Sequence, residues 1–144
     1  MKIIYSKINC EKVLHIIVRK SEFLKQRTDI LEAENFLQCS ALRLAEGCTF
    51  RPHRHVWKLG KERVIAQESW VVISGEVKCH FYDLDDNPLA EEVLLPGDAS
   101  FTLEGGHTYT ALTHDTFVYE YKTGPYEGQQ QDKKFLENST GENS

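Results

Sequence analysis

The sequence predicts an all-β protein with a single domain, and three observations support this. Its 144 residues suffice for one hydrophobic core and are too few for two typical ones. Short runs rich in β-branched and aromatic residues follow one another along the chain. Turn signals containing glycine, proline, asparagine or aspartate separate most of these runs. Many short strands divided in this way indicate a β-sandwich or a β-barrel.

The strand-like runs can be read in chain order. They are VLHIIVRK from Val13, FLQCSALRL from Phe36, ERVIA from Glu62, SWVVIS from Ser69, EVKCHFYDL from Glu76, EEVLL from Glu91, ASFTL from Ala99, HTYTAL from His107 and TFVYEYK from Thr116. The segments Ser74-Gly75, Pro96-Gly97-Asp98 and Gly124-Pro125 suit the hairpins and corners between them.

The two ends of the chain differ from its centre in composition and in the structure that we expect. Residues 21–35, SEFLKQRTDILEAEN, have a helix-friendly composition and predict a short helix or a turn. We expect residues 1–35 to form strands and this short element packed on a barrel of residues 36–123. Residues 124–144 are expected to form a C-terminal tail, in which only Phe135 and Leu136 could anchor.

Charge and composition limit the classes of partner. A formal net charge of -5 argues against a nucleic-acid surface, so a small molecule is the expected ligand. The apolar run VLHIIV is interrupted by His15 and followed by Arg19 and Lys20, which predicts neither a secretion signal nor a membrane span. The lack of both features favours a cytoplasmic protein, and the four cysteines, which form no C-x-x-C pair, are expected to be reduced thiols.

The segment FRPHRH carries the strongest chemical signal. Side chains alternate along a strand, so His53 and His55 would point to one face and Arg54 to the other. Two imidazoles together with a nearby carboxylate suit a divalent transition metal. The pair could also be solvated strand residues, or a metal-free pair used for proton transfer. The histidines at 15, 80 and 114 have no second histidine at the spacing of a metal-binding pair. They are interpreted as barrel or surface residues.

Two half-motifs in order resemble those of the cupins, which are jelly-roll barrels. GCTFRPHRH fits the pattern G-x5-H-x-H from Gly47, and ESWVVISG fits E-x6-G from Glu68 to Gly75. His107, in PGDASFTLEGGHTYTA, occupies the matching position of the second cupin motif. The resemblance implies a jelly-roll barrel that holds iron, manganese, zinc or nickel through three histidines and one glutamate: His53, His55, Glu68 and His107.

The spacing to the glutamate departs from the cupin pattern. Twelve residues separate His55 from Glu68, where cupins have three or four. Glu62 lies nearer to the usual distance, but no glycine follows it seven residues later. Glu68 is therefore the expected ligand, and the intervening segment is expected to form a long hairpin or a loop at the barrel mouth.

The order of motifs over roughly residues 36–136 resembles the WbuC-type cupins of bacterial surface-polysaccharide gene clusters. This implies binding of a sugar or sugar nucleotide, with isomerase or epimerase chemistry in which His107, Glu68 or Tyr109 moves protons. Cationic and aromatic residues near the mouth are expected to contact this ligand: Arg51, Trp57, Lys61 and Tyr121. An iron-dependent dioxygenase and a non-catalytic metal- or sugar-binding module remain alternatives.

A homodimer is expected from the N-terminal segment. KIIYSKI, from Lys2 to Ile8, reads as a strand with no hairpin partner next to it in the sequence. Open sheet edges need covering, so pairing with a second chain is the predicted solution.

Overall fold

The computed structural model describes residues 1–58 and 64–137, and its regular elements are almost all strands. The strands are β1 (Lys2–Tyr5), β2 (Val13–Ile17), β3 (Arg27–Asp29), β4 (Leu37–Leu44), β5 (His53–His55), β6 (Glu68–Ser74), β7 (Val77–Tyr82), β8 (Pro88–Leu94), β9 (Ala99–Thr102), β10 (Gly106–Ala111), β11 (Thr116–Thr123) and β12 (Lys133–Phe135). A 3-10 turn spans Lys20–Glu22, and one short helix, α1, spans Gln129–Asp132. The all-β prediction is confirmed. No helix in these two ranges is both long and apolar enough to cross a membrane.

Two five-stranded antiparallel sheets form the barrel. One has the order β12-β5-β10-β7-β8 and the other the order β3-β4-β11-β6-β9. From β4 onward the chain changes sheet at almost every connection, and only β7 and β8 follow each other in one sheet. This alternation between two facing sheets is the jelly-roll arrangement that the sequence predicted.

The inward rows of side chains change from apolar to polar along the barrel. On β6 the inward residues are Glu68, Trp70 and Val72, all of which are buried. On β10 they are His107 and Tyr109, followed by Ala111. Trp70 and Tyr109 stack with ring centroids 4.0 Å apart, and they lie between the apolar core and the polar end. The apolar core therefore packs against one layer of polar side chains at the end of the barrel.

Two local expectations can be compared with the structure, and one of them differs from it. The run ERVIA was interpreted as a strand, but its described part forms only an isolated bridge between Val64 and Lys58, and its first two residues lie outside the described ranges. In residues 21–35 the described elements are the end of the 3-10 turn and β3, which pairs with β4 in the barrel sheet. The 3-10 turn agrees with the short helix or turn expected there, and β3 is an additional strand at an available sheet edge.

The expectation that KIIYSKI lacks a hairpin partner is wrong. β1 pairs antiparallel with β2 and forms a separate two-stranded sheet. The reversal is closed by Ser6, whose Oγ accepts hydrogen bonds from the backbone N–H groups of Ile8 and Asn9. The Ser6 N–H also donates to the carbonyl of Lys12 at 2.9 Å. Side-chain hydrogen bonds of this kind stabilise a longer turn than the two-residue type.

Part of the C-terminal segment, expected to be a tail, belongs to a sheet of the barrel. β12 pairs with β5, aligning Lys133 with His55 and Phe135 with His53. Leu136 follows it and is buried. The anchoring predicted for Phe135 and Leu136 is present, and β12 forms one edge of the barrel sheet beside the two histidines.

The glycine of the E-x6-G motif provides a test of the packing. Gly75 has φ +78°, and a Cβ there would lie 2.7 Å from Thr116 Cα. Gly47 has the same φ, but a Cβ there would have nothing within 4 Å. We expect Gly47→Ala to lower the free energy of unfolding by about 1–2 kcal/mol from the left-handed conformation alone. Gly75→Ala should lose about 1–3 kcal/mol more, because the clash is added to that strain. Urea unfolding measures both variants, and equal losses would contradict this account.

Candidate metal centre

Four buried side chains meet at the polar end of the barrel, between the two sheets. They are His53 and His55 from β5, Glu68 from β6 and His107 from β10. Each offers a ligand atom, and these atoms all lie within 4.8 Å of one another. His55 Nε2 is 3.1 Å from Glu68 Oε2, and His107 Nε2 is 3.3 Å from Glu68 Oε1. The structure thus brings together the four residues that the sequence motifs named.

Strand register explains why these residues converge. β5 pairs antiparallel with β10, so that His53 lies opposite His107. Alternation along β5 turns Arg54 away, and its Nη1 lies 3.0 Å from Asp86 Oδ1 in an ion pair. Glu68 opens β6 in the other sheet and therefore faces the histidines across the barrel.

The long spacing between His55 and Glu68 in the sequence is shortened in space by a bridge between Lys58 and Val64. The N–H of Lys58 donates to the carbonyl of Val64 at 2.7 Å, which closes the base of the segment between them. The chain then reaches Glu68 at the start of β6. Lys58 and Val64 are thus neighbours in space, so the long spacing in the sequence does not keep His55 apart from Glu68.

The charges in this cluster are strongly coupled. Burial alone would raise the pKa of Glu68, but hydrogen bonds with His107 and His55 hold it well below its ordinary value. Burial alone would lower the pKa of His55, yet hydrogen bonds with Asp132 and Glu68 raise it. Burial and the nearby His107 lower the pKa of His53 to about 3. Glu68 is therefore a charged acceptor, while His53 is a neutral imidazole.

The orientation of His53 tests whether this cluster fits a metal ion. Its Nδ1 donates to the carbonyl of Arg51 at 3.2 Å, so the lone pair lies on Nε2. Nε2 is buried and has no hydrogen-bond partner among the described residues, and the same holds for His107 Nδ1. Leaving such an atom unsatisfied costs about 1–3 kcal/mol. Three imidazoles and a carboxylate match iron, manganese, zinc or nickel, so the residues fit a divalent transition metal.

Asp132 supports the cluster, and sequence reasoning missed it. Its side chain is 1% exposed, and its Oδ2 lies 3.3 Å from His55 Nδ1 and 3.2 Å from Lys122 Nζ. Lys58 Nζ approaches Oδ1 at 3.3 Å in an ion-pair contact. Burial would raise the pKa of Asp132, but His55 and Lys122 hold it well below its usual range. This carboxylate keeps the proton of His55 on Nδ1 and turns Nε2 toward Glu68.

A cavity of about 640 Å³ opens beside the cluster. Its lining includes His53, Glu68, Arg51, Tyr109 and the inward side chains of β12. Arg51, one of the predicted ligand contacts, therefore lies where a ligand in this cavity could reach it. Tyr109 also borders the cavity, but its hydroxyl lies 3.0 Å from Ser100 Oγ, and burial raises its pKa.

Two other predicted ligand contacts, Trp57 and Tyr121, are not among the residues that line this cavity. Trp57 Nε1 donates to Glu104 Oε1 at 3.1 Å, and Trp57 is not part of the lining. Tyr121 lies on the opposite face of β11 from Glu120 and Lys122, which do line the cavity. A contact between Tyr121 and a ligand stays a prediction. Lys61 lies outside the described residues.

Among known proteins, the similarities found are to solved structures. No protein-family model matches the chain, and no curated protein matches it. The capsular polysaccharide assembling protein CapF from Staphylococcus aureus superposes with a TM-score of 0.63 at 20% identity, over 78% of this chain and 32% of CapF. CapF has also been solved with the inhibitor 3-isopropenyl-tropolone. The chain thus spans about a third of CapF.

Two further solved structures match over most of their own length. An uncharacterized conserved protein with a double-stranded β-helix domain from Klebsiella pneumoniae has a TM-score of 0.61 at 18% identity, over 85% of this chain and 92% of that protein. KdgF from a Halomonas species has a TM-score of 0.52 at 18% identity, over 67% of this chain and 77% of KdgF. Likeness at such identity shows the fold and not the activity. The chain has the double-stranded β-helix barrel fold of the cupins.

Proposed function

We propose that this chain is a cupin metalloprotein that binds a sugar or sugar nucleotide beside a divalent transition metal and isomerises or epimerises it. The observation that carries the metal assignment is His53 Nε2, a buried lone pair with no partner among the described residues, set within four candidate ligands. The observation that supports a ligand is the cavity bordered by His53 and Glu68. A reaction centre needs both an electrophile and room beside it.

The four clustered residues would hold the ion: His53, His55, Glu68 and His107. When bound, such an ion supplies polarisation of a ligand carbonyl, which acidifies the neighbouring carbon. Glu68 meets the cavity as a charged carboxylate, and Trp70 Nε1 donates to its Oε1 at 3.1 Å, which fixes its orientation. Asp132 likewise fixes the orientation of the His55 ring, through Nδ1 on the side away from Glu68.

The proposed proton-transfer roles differ in their structural support. Glu68 and His107 lie within the cluster, where either could move a proton only while it is not coordinated. Tyr109 has a raised pKa and keeps its proton, so its hydroxyl could donate but would be a poor base. A role in surface-polysaccharide synthesis draws support from the likeness to CapF, a capsular polysaccharide assembling protein, of which this chain matches only a part.

Metal content is the first test. Protein made without a histidine tag should carry about one transition-metal ion per chain. We expect the double variant His53→Ala/His55→Ala to lose the ion, because two of four ligands are removed. His114→Ala is the matched control, since that imidazole is exposed and pairs with Glu46 far from the cluster. Metal analysis by mass spectrometry gives the answer, and unchanged metal in the double variant would exclude this site.

Proton exchange is the test of the reaction. Metal-loaded protein is incubated in deuterated buffer with a panel of keto-sugar nucleotides, and deuterium at the ring carbons is measured by NMR. We expect incorporation with at least one member of the panel. Tyr109→Phe should lose about 1 kcal/mol of stability with its Ser100 hydrogen bond, and slower exchange in this variant would support proton donation by Tyr109.

The alternatives give different results in the same assay. Oxygen consumption by the ferrous protein without any exchange would favour a dioxygenase. Binding without exchange or oxygen uptake would favour a non-catalytic module. The CapF inhibitor 3-isopropenyl-tropolone has adjacent oxygens suited to chelation, so it provides a probe that should bind the loaded protein more tightly than the metal-free protein.

We also propose a homodimer formed through the N-terminal hairpin. β1 and β2 form a sheet of their own, and their apolar side chains Ile3, Tyr5, Val13 and Leu14 are between 41% and 51% exposed. A two-stranded hairpin is only marginally stable alone, so burial of these side chains against a second copy would stabilise it.

The dimer is tested by sedimentation equilibrium. We expect wild-type protein to be dimeric at micromolar concentration and the variant Ile3→Ser/Leu14→Ser to be monomeric. Leu84→Ser is the control, because Leu84 is 62% exposed at the turn between β7 and β8, away from the hairpin. A monomeric wild-type protein would contradict the proposal.

A further inference from the structure

β12 carries a lysine into the cavity beside the candidate metal centre. Lys133 is aligned with His55 across the β12–β5 pair, and Phe135 with His53. Alternation directs Lys133 and Phe135 to the cavity, which both of them line, while Lys134 is exposed on the other face. The ammonium group is therefore next to the four clustered residues.

Lys133 differs from the other cations near the cluster because it has no direct partner. Lys58 and Lys122 both approach Asp132, and Arg27 binds Glu120 at 2.8 Å. No hydrogen bond or ion pair joins the side-chain ammonium of Lys133 to another residue in the described part of the chain. The side chain is half-buried, and burial lowers its pKa. A half-buried ammonium with no carboxylate in direct contact is a group that an anionic ligand would satisfy.

Arg51 adds a second cation at the same place. Its guanidinium lies over the Phe135 ring, with Cζ 4.4 Å from the ring centroid, and it forms no ion pair within the described ranges. Arg51, Phe135 and Lys133 thus make one continuous wall of the cavity. A planar guanidinium and a nearby ammonium are suited to the oxygens of a phosphate or a carboxylate.

Most of the acidic groups of the cavity are already engaged. Asp29 and Glu120 both pair with Arg27, and Glu68 bonds with the histidines. Glu32 is the remaining carboxylate of the lining, and no ion pair involving it occurs among the described residues. The wall formed by Arg51 and Lys133 therefore keeps its positive charge available to a ligand.

We propose that Lys133 and Arg51 bind an anionic group, a phosphate or a carboxylate, of the ligand that occupies this cavity. The inference rests on the proposed function, because it takes the cavity beside the metal centre as the ligand site. It narrows the ligand to an anionic sugar derivative, either a phosphorylated sugar or a sugar acid, and it disfavours a neutral sugar.

The test uses inorganic phosphate and acetate as separate probes. Protein with 15N-labelled lysine is titrated with each anion in metal-loaded and metal-free forms, and the Lys133 Nζ signal is followed by NMR. We expect one anion to shift this signal saturably, and the tighter of the two identifies phosphate or carboxylate. Lys133→Met should weaken binding by about tenfold or more, as loss of a charged hydrogen bond implies.

Matched variants show whether the loss of anion binding is specific to the charge of Lys133. Lys134→Met removes the neighbouring charge on the exposed face and should leave affinity unchanged. Lys133→Arg retains the charge and should stay within about threefold, while Arg51→Met should weaken binding partially. An unshifted Lys133 signal with both anions, or equal losses in Lys133→Met and Lys134→Met, would overturn the proposal.

Metal analysis of the same samples separates this inference from the proposed function. If wild-type protein holds its metal ion but binds neither anion, the anion site is wrong and the metal site stands. If the protein takes up no metal but binds an anion through Lys133, the anion site stands and the metal proposal fails.

Discussion

The buried charge of Glu68 is the constraint on which the polar end of the barrel depends. A carboxylate in this position must be satisfied from several directions, since desolvation of an unpaired charge costs several kcal/mol. His55 and His107 contact it from one sheet, and Trp70 donates to it from its own strand. The network continues through His55 to Asp132 and through Trp70 to Glu120. Removing any one member would leave its neighbours unpaired, so these groups are expected to act as a unit.

The jelly-roll topology explains how distant segments supply this network. β5 is only three residues long, and it is held between β10 and β12, which come from much later in the chain. The C-terminal segment provides both Asp132, which supports His55, and Lys133, which faces the cavity. Two adjacent residues on one segment therefore support His55 and line the cavity that we propose as the ligand site.

The sequence predicted those parts of the site that follow from local periodicity and motif spacing. Alternation placed His53 and His55 on one face, and the half-motifs identified Glu68 and His107 without any knowledge of the sheet order. Asp132 and Lys133 could not be found in this way, because their importance comes from pairing with a strand far away in the sequence. The N-terminal hairpin was missed for a different reason: its reversal depends on Ser6, and a seven-residue polar connection is not a recognised turn signal.

The short strand with two histidines also affects how metal binding couples to folding. His53 and His55 remain two residues apart in the unfolded chain, whereas Glu68 and His107 join them only when both sheets have formed. An unfolded chain with two nearby imidazoles can still bind a transition metal weakly. Binding to the unfolded state subtracts from the stabilisation given by the native site. A rise in melting temperature on adding metal would therefore underestimate the affinity of the folded barrel.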